Sequence, residues 1–498
     1  MLFNSVPFLI FFPIVTLIYY LIPHRFRYIW LLIASYYFYM SWNPYYSLLM
    51  MTSTVITYAS GLLIDRANGI EDPQRSVKVK KCWVALCFIL NLSILFFFKY
   101  ANFFLANVTG LLSSVGIACK PFAFDILLPV GISFYTFQAL SYTVDVYRKD
   151  IYAERNILKY ALFVSFFPQL VAGPIERSKN LLVQISERHV FTYQNARDGL
   201  LLMLWGFFQK LLIADRAAII VDQVFNHYQK YSGTVLITAS VLFAVQIYCD
   251  FAGYSNIARG AARVMGFRLM KNFDAPYFSK SIAEFWRRWH ISLSSWFRDY
   301  LYIPLGGNRK GKWKKYRNIL IVFLASGLWH GASWAFVAWG LLHGVYQVIG
   351  DLLRPLKNKL LAKWHIRTDC FSYRLGQILV TFSLVDFAWI FFRAPSFRTA
   401  LRMIGRMLTS PNSADLSNGV LYTLGLDPGA VHFLLLCIVC LVTVSLLNRS
   451  GNVLQRFYRQ NRGFRWACVW ALFFIVFYGF LLQNGGYGDT VQFIYFQF

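Results

Sequence analysis

Apolar runs long enough to cross a bilayer recur from one end of this sequence to the other, separated by short basic links. About 20 apolar residues span a hydrocarbon core as a helix. In lipid, every backbone polar group must find its partner within the protein. The expectation is therefore an all-α polytopic membrane protein with about eleven transmembrane helices. Composition agrees, being 57% hydrophobic and only 14% charged, whereas a soluble chain of this length carries more charge. The net charge of +27 would suggest nucleic acid in a soluble protein. Here the basic residues sit largely between apolar runs, as the positive-inside bias requires, and no nucleic-acid partner is expected. The lipid bilayer is the expected surrounding.

Taken in order, the first run, Pro7 to Ile22, follows a start with no basic segment and no small-residue cleavage site. It is expected to stay as a membrane helix. Arg66, Arg75, Lys78, Lys80 and Lys81 mark a cytoplasmic loop, which puts the N-terminus outside. A fourth span is expected over 82–98. An outer segment over 101–125, with Lys120 its one basic residue, should follow it. A helix over 126–144 then returns inward. The stretch Phe166–Arg177 holds two prolines, a glycine and the Glu176/Arg177 pair, which predicts a broken or re-entrant helix. Two more spans are expected near 199–213 and 235–248. The run from Ile319 to Ile349 is long for one span and carries Gly327, Gly331, Gly340 and Gly344. It reads as a kinked pair or one bent helix with His330 near the break. Further spans are expected at 375–392, 433–447 and 466–482. Neither a linker nor a short repeat divides the chain, so residues 1–498 are expected to form a single membrane domain.

The stretch Phe285–Tyr300, read as a helix, holds three tryptophans, three arginines, one aspartate and His290. Such a segment suits a membrane–water boundary or the lining of a polar cavity. Forty residues later comes His330, in Gly327-Leu328-Trp329-His330-Gly331. Ionisable groups at membrane depth are costly and tend to line substrate paths, and imidazole can accept a proton from a hydroxyl near neutral pH. His290 and His330 are thus the candidate reaction centre, set against the blander reading of packed, hydrogen-bonded histidines. His343 is expected to be structural. Asp250, at the end of an apolar helix, reads either as a helix-end or ion-pair carboxylate or as a cavity group. The turn Leu305-Gly306-Gly307-Asn308-Arg309 reads either as a phosphate cradle or as a basic cytoplasmic loop. The eight cysteines show no paired metal-ligand spacing and suggest no disulfide framework, so no metal site is expected. Nucleophile-elbow, phosphate-loop and zinc-protease motifs are lacking from the sequence.

Phe285–Tyr300, Ile303–Arg309, Gly327–Gly331 and Trp339-Gly340 together resemble the membrane-bound O-acyltransferase (MBOAT) family. Within it, the chain is most similar to the alginate O-acetylation (AlgI-like) type. Pro129–Gln138, Phe166–Arg177, Tyr248–Ser255 and Phe493–Phe498 support the resemblance. Asn256 stands where the family pattern often has an acid.

The resemblance implies re-entrant and interfacial helices around a central pore. It implies transfer of an acyl group, here acetyl, from a cytoplasmic thioester to a hydroxyl outside. Acetyl-CoA or another acyl thioester would be the donor, and no bound cofactor is expected. By the same analogy His330 is the leading catalytic residue and His290 assists or positions. Trp329 and Asp250 would support the cavity. Arg287 and Arg288 would face an oxyanion or the donor's phosphates, or else snorkel at the membrane surface. The chain contains no visible serine-hydrolase domain. An extracytoplasmic SGNH/serine-hydrolase-like acetyltransferase partner is therefore implied, with an alginate-like exopolysaccharide or another cell-surface glycan as acceptor. D-alanyl transfer to teichoic acid, or a transporter, are the alternatives.

Overall fold

Helix starts and stops follow local chemistry along the chain. Asp72 accepts from the Gln74 amide ahead of Pro73, and the Asn156 side chain accepts from Leu158 and Lys159. Ser281 accepts from Glu284, Ser333 from Phe336, Ser396 from Thr399 and Asp427 from Ala430. Each bond satisfies a donor that the first helical turn leaves without a partner. The computed structural model describes the chain apart from residues 118–122, 126–127, 172, 485–492 and 495–498. Among the described residues every regular element is helical. The chain divides into two compact units, residues 1–203 with 255–270 and residues 204–254 with 271–498.

The first unit holds α1 (Val6–Leu21), α2 (His24–Met40), α3 (Tyr46–Arg66), α4 (Pro73–Ser114), α5 (Ile132–Arg148), α6 (Ile157–Ser165), α7 (Phe167–Leu170), α8 (Ser178–Ser186) and most of α9 (Tyr193–Phe207). Helix α5 packs against α3, α4, α6 and α8 and is buried almost throughout. Its polar side chains therefore need internal partners. Gln138 donates to the Phe163 carbonyl at 2.6 Å, and Gln169 donates to the same oxygen at 3.0 Å. That carbonyl lies where α6 breaks from α7 at Phe166, and the Phe167 amide donates to Ser35 Oγ at 3.1 Å. The helix expected to break near Phe166 does so, and side chains take over the freed backbone groups. Ala172 in that stretch lies outside the described residues.

The second unit begins with the end of α9 and a π-helical turn, Phe208–Ala214. It continues through α10 (Asp215–Asn226), the part of α11 (Gly233–Val264) up to Tyr254, α12 (Ile282–Arg288), α13 (Ile291–Phe297), α14 (Lys312–His330), α15 (Trp334–Leu352), α16 (Arg354–Lys363), α17 (Phe371–Arg393), α18 (Phe397–Thr409), α19 (Pro428–Arg449), α20 (Val453–Tyr458) and α21 (Arg462–Asn484). The expected kinked pair is α14 and α15, an antiparallel hairpin. His330 is the last residue of α14, at the break. A Cβ on Gly327 would run into the Phe336 carbonyl, and one on Gly340 into the Phe323 carbonyl. The two backbones touch because neither residue has a side chain.

Among the described residues six helices are long and apolar enough to cross a membrane, or seven if α15 and α16, bent by 47°, count as one span. The expected count of about eleven also includes apolar runs that form shorter elements. Helix α1 has only 16 residues, and the run over 157–172 is split into two short helices. The run over 199–213 continues into the π turn. Helix α4 does not end near residue 98 but runs 42 residues to Ser114, with Gly116 at φ +85° just beyond. Past Pro73 no proline interrupts the helix, and Gly110 is accommodated within it. Lys120, Ile126 and Leu127 lie outside the described residues.

The α14–α15 contact predicts a packing defect. Gly340→Val should destabilise the detergent-solubilised protein by about 1–3 kcal/mol, the range for overpacking. Gly405→Ala, at a helical site open to added volume, should be neutral or slightly stabilising. Thermal unfolding of both variants beside wild type checks this.

Candidate active site

The stretch Phe285–Tyr300 is two short helices, not one. Helix α12 ends at Arg288, Trp289 turns extended, and His290 adopts φ +44° before α13 begins. A left-handed non-glycine residue costs energy and persists only where its surroundings fix it. Asn272 supplies that fixing. Its Oδ1 lies 3.2 Å from His290 Nδ1 and accepts from the Ser292 amide at 3.2 Å and the Ser292 hydroxyl at 2.9 Å. The Ile291 amide donates to the Asn272 carbonyl at 2.9 Å. An amide oxygen only accepts, so His290 Nδ1 carries the proton and Nε2 keeps its lone pair.

Both histidines are buried, at 0% and 2% exposure for His290 and His330. Trp329 stands between them, with ring centroids 6.0 Å from His290 and 4.9 Å from His330. Phe251 closes the other side of His290 at 4.6 Å. Trp339 at 4.9 Å and Phe392 at 5.4 Å complete an aromatic box around His330.

A cavity of about 1230 Å³ opens among α12, α13, α14, α15, α16 and α17. Its rim carries Lys280, Arg287, Arg298, Lys315, Arg354 and Lys357 against one acid, Asp351. Lys315 Nζ pairs with Asp351 at 2.7 Å, and Tyr316 donates to the same carboxylate at 3.0 Å. Deeper walls are apolar, with Ile319, Val322, Phe323 and Trp286. Phosphate-sized anions suit the rim, and an uncharged chain suits the walls.

Residues 86–393 match the model of the MBOAT, membrane-bound O-acyltransferase family. The chain belongs to the membrane-bound O-acyltransferase family. It is 41% identical over 411 residues to the probable alginate O-acetylase AlgI of Pseudomonas syringae pv. tomato, covering 82% of this chain and 75% of that protein. It is 34% identical over 409 residues to the peptidoglycan O-acetyltransferase of Helicobacter pylori, covering 76% and 73%. It is 29% identical over 281 residues to the teichoic acid D-alanyltransferase of Bacillus subtilis, covering 54% and 69%. This acyltransferase is thus a multi-pass bacterial membrane enzyme, and the transporter reading falls away.

The fold separates the other residues singled out in the sequence. Arg287 is exposed and lines the cavity. Arg288 is committed elsewhere, to Glu284 at 3.0 Å and Asp274 at 2.9 Å. Burial alone would raise the Asp274 carboxyl, but Lys271 and Arg288 outweigh it and hold the group below its usual range. Asp250 is buried and bound to Lys210 Nζ at 2.6 Å, and it accepts the Ile494 amide at 2.7 Å. Lys210 also reaches Asp215 at 2.8 Å. The glycine turn is pinned by Asn318, which donates to the carbonyls of Leu305 and Gly307, and its residues do not line the cavity. In the terminal stretch Phe493–Phe498, Tyr495 to Phe498 lie outside the described residues.

The sequence reading passed over Asn272 and Lys210. A lone lysine inside the run Leu200–Ile213 was the available signal, since an intramembrane cation requires an acidic partner. Asn272, in a polar link, carries no comparable signal.

Removing the Asn272 acceptor should take from the buried His290 its 3.2 Å bond, at about 1–3 kcal/mol. Asn272→Ala is expected to lower acyl transfer by about 10- to 100-fold while the protein still reaches the membrane. Activity normalised to membrane-inserted protein checks it.

Proposed function

We propose that this enzyme takes an acetyl group from a thioester on the cytoplasmic side and delivers it outside, for O-acetylation of a cell-surface polysaccharide. The family and the O-acetylating relatives support a membrane O-acetyltransferase. The observation that carries the finer reading is the pairing of a basic-rimmed cavity with His330, one helical turn beyond Ser326, the last α14 residue that lines the cavity. The rim comes from links that the positive-inside bias assigns to the cytoplasm, so a phosphate-bearing thioester such as acetyl-CoA would dock there.

His330 serves as general base. Its imidazole takes the proton of an acceptor hydroxyl as that oxygen attacks the acetyl carbonyl. A C–O bond forms, the C–S bond breaks, and the leaving thiolate recovers the proton from the imidazolium. His290, held by Asn272, positions the acceptor across Trp329. Arg287 steadies the donor's phosphates. The acceptor hydroxyl belongs to an extracytoplasmic partner with a serine nucleophile, which passes acetyl to an alginate-like glycan. The longer and closer matches to O-acetylating relatives favour acetyl over D-alanyl.

In a deletion strain, wild type should restore the O-acetyl content of surface polysaccharide. His330→Ala, at equal membrane level, should restore about 1% of it or less, because general base catalysis supplies about 10²–10⁴-fold. Full restoration by His330→Ala would remove the catalytic assignment. Unchanged acetyl content on deletion would remove the acetylation reading.

A further inference from the structure

Between the cavity and His330 stands a ring that the reaction itself does not require. The cavity residues on α14 are Lys315, Ile319, Val322, Phe323 and Ser326, which share one face of the helix. His330 continues that face one turn further, about 6 Å along the axis. Trp286 and then Trp339 lie between the cavity wall and His330. The Trp286 indole forms part of the cavity wall and packs on Phe323 at 5.3 Å and on Trp339 at 5.7 Å. Trp339 is the ring that meets His330. Trp286 is also tethered, because its Nε1–H donates to His343 Nδ1 at 3.2 Å.

His343 is fully buried, with Phe285, Trp286, Phe323 and Trp339 around it. It does not line the cavity, and the reaction scheme gives it no proton to move. Accepting from an indole through Nδ1 places its own proton on Nε2 and fixes its tautomer. A packing role alone would be filled by leucine or phenylalanine without the cost of burying an imidazole. What the imidazole adds is one directional bond, and that bond sets the angle of the Trp286 ring.

We propose that Trp286 is the partition that keeps donor-side water from His330, and that His343 is the residue that positions it. This rests on the acyl-transfer reading above. A base strong enough to activate a hydroxyl also activates water. A water molecule beside His330 would attack the thioester carbonyl, breaking C–S and forming C–O. One water proton would pass through His330 to the leaving thiolate, giving acetate and free thiol with nothing transferred. The cavity is wide and open at its basic rim, so water reaches Ser326 whenever the donor is absent or loosely held. An indole latched against Trp339 closes that path. The uncharged arm of a donor displaces it on entering, and the His343 bond restores it afterwards.

The test uses the full chain in proteoliposomes with acetyl-CoA and S-acetyl-pantetheine as probes. It compares thioester hydrolysis with the O-acetyl content of polysaccharide in the complemented deletion strain. Trp286→Ala and His343→Leu should raise the ratio of hydrolysis to transfer about tenfold or more. His343→Gln, whose amide oxygen can accept the indole N–H, should stay near wild type, and Trp286→Phe should fall between. Adding His330→Ala to Trp286→Ala should abolish the extra hydrolysis. Variants that lose hydrolysis and transfer in equal proportion, or a His343→Gln as leaky as His343→Leu, would overturn the partition. A wild-type protein that restores no acetyl ester would instead overturn the acyl-transfer reading, whatever the variants do.

Discussion

The contact between α14 and α15 fixes where His330 sits in this protein. Two helices can approach at backbone distance only where side chains are missing, and Gly327 and Gly340 meet that condition from opposite sides. The close approach puts the end of α14 beneath the first turns of α15. It thereby brings Trp339 and Trp329 onto His330. The histidine is held by ring contacts on several sides, and a ring so confined keeps one orientation. General base catalysis needs that constancy more than it needs an unusual proton affinity.

Charge is sorted by the same low-dielectric surroundings. Lys210 is fully buried within a π turn and reaches two aspartates, Asp215 and Asp250. Removing one member of such a set leaves a buried charge uncompensated, at about 3–5 kcal/mol. The π turn is the local irregularity that accommodates the lysine. Gly253 approaches the same segment so closely that a Cβ there would meet the Gly206 carbonyl. Arg288 is similarly consumed by Glu284 and Asp274. The cavity rim differs, since six basic side chains face one acid, Asp351, already bound by Lys315. A surplus of one sign around a concave site is what an anionic ligand would use, whereas balanced clusters hold the fold together.

These distinctions explain what could be read from the sequence. Apolar runs and basic links are one-dimensional patterns, so the all-helical membrane class was legible, as was the break after His330, where Gly331 follows. The broken helix near Phe166 was legible because Pro168 and Pro174 cannot continue one. The division of Phe285–Tyr300 was not. Nothing in Trp289-His290-Ile291 forbids a helix, and the left-handed turn depends on Asn272, which lies 18 residues away. The span count is not read directly from hydropathy for a related reason. Hydropathy measures how apolar a run is, but α5, buried and rich in Ser, Thr and Gln, is stable because neighbours supply its hydrogen bonds. The two readings of Asp250 likewise could not be separated until Lys210 was seen beside it.

The proposed transfer of an acyl group across the bilayer sets two demands in opposition. The donor side must be wet and charged to accept a phosphate-bearing thioester. The reaction centre must be dry, since water competes with every acceptor hydroxyl. A distance of one helical turn along α14 separates these environments, which is too short for bulk lipid-like packing to do the work. A single large side chain can do it, provided it has one resting position and can leave it. Tryptophan supplies the area, and its N–H supplies a handle that phenylalanine lacks. The imidazole of His343, caged by aromatic rings and offered to that N–H, gives the handle something to hold. On this view the aromatic residues crowding α12 are not a generic membrane-interface signature. They are the boundary between the two solvents that the reaction has to keep apart.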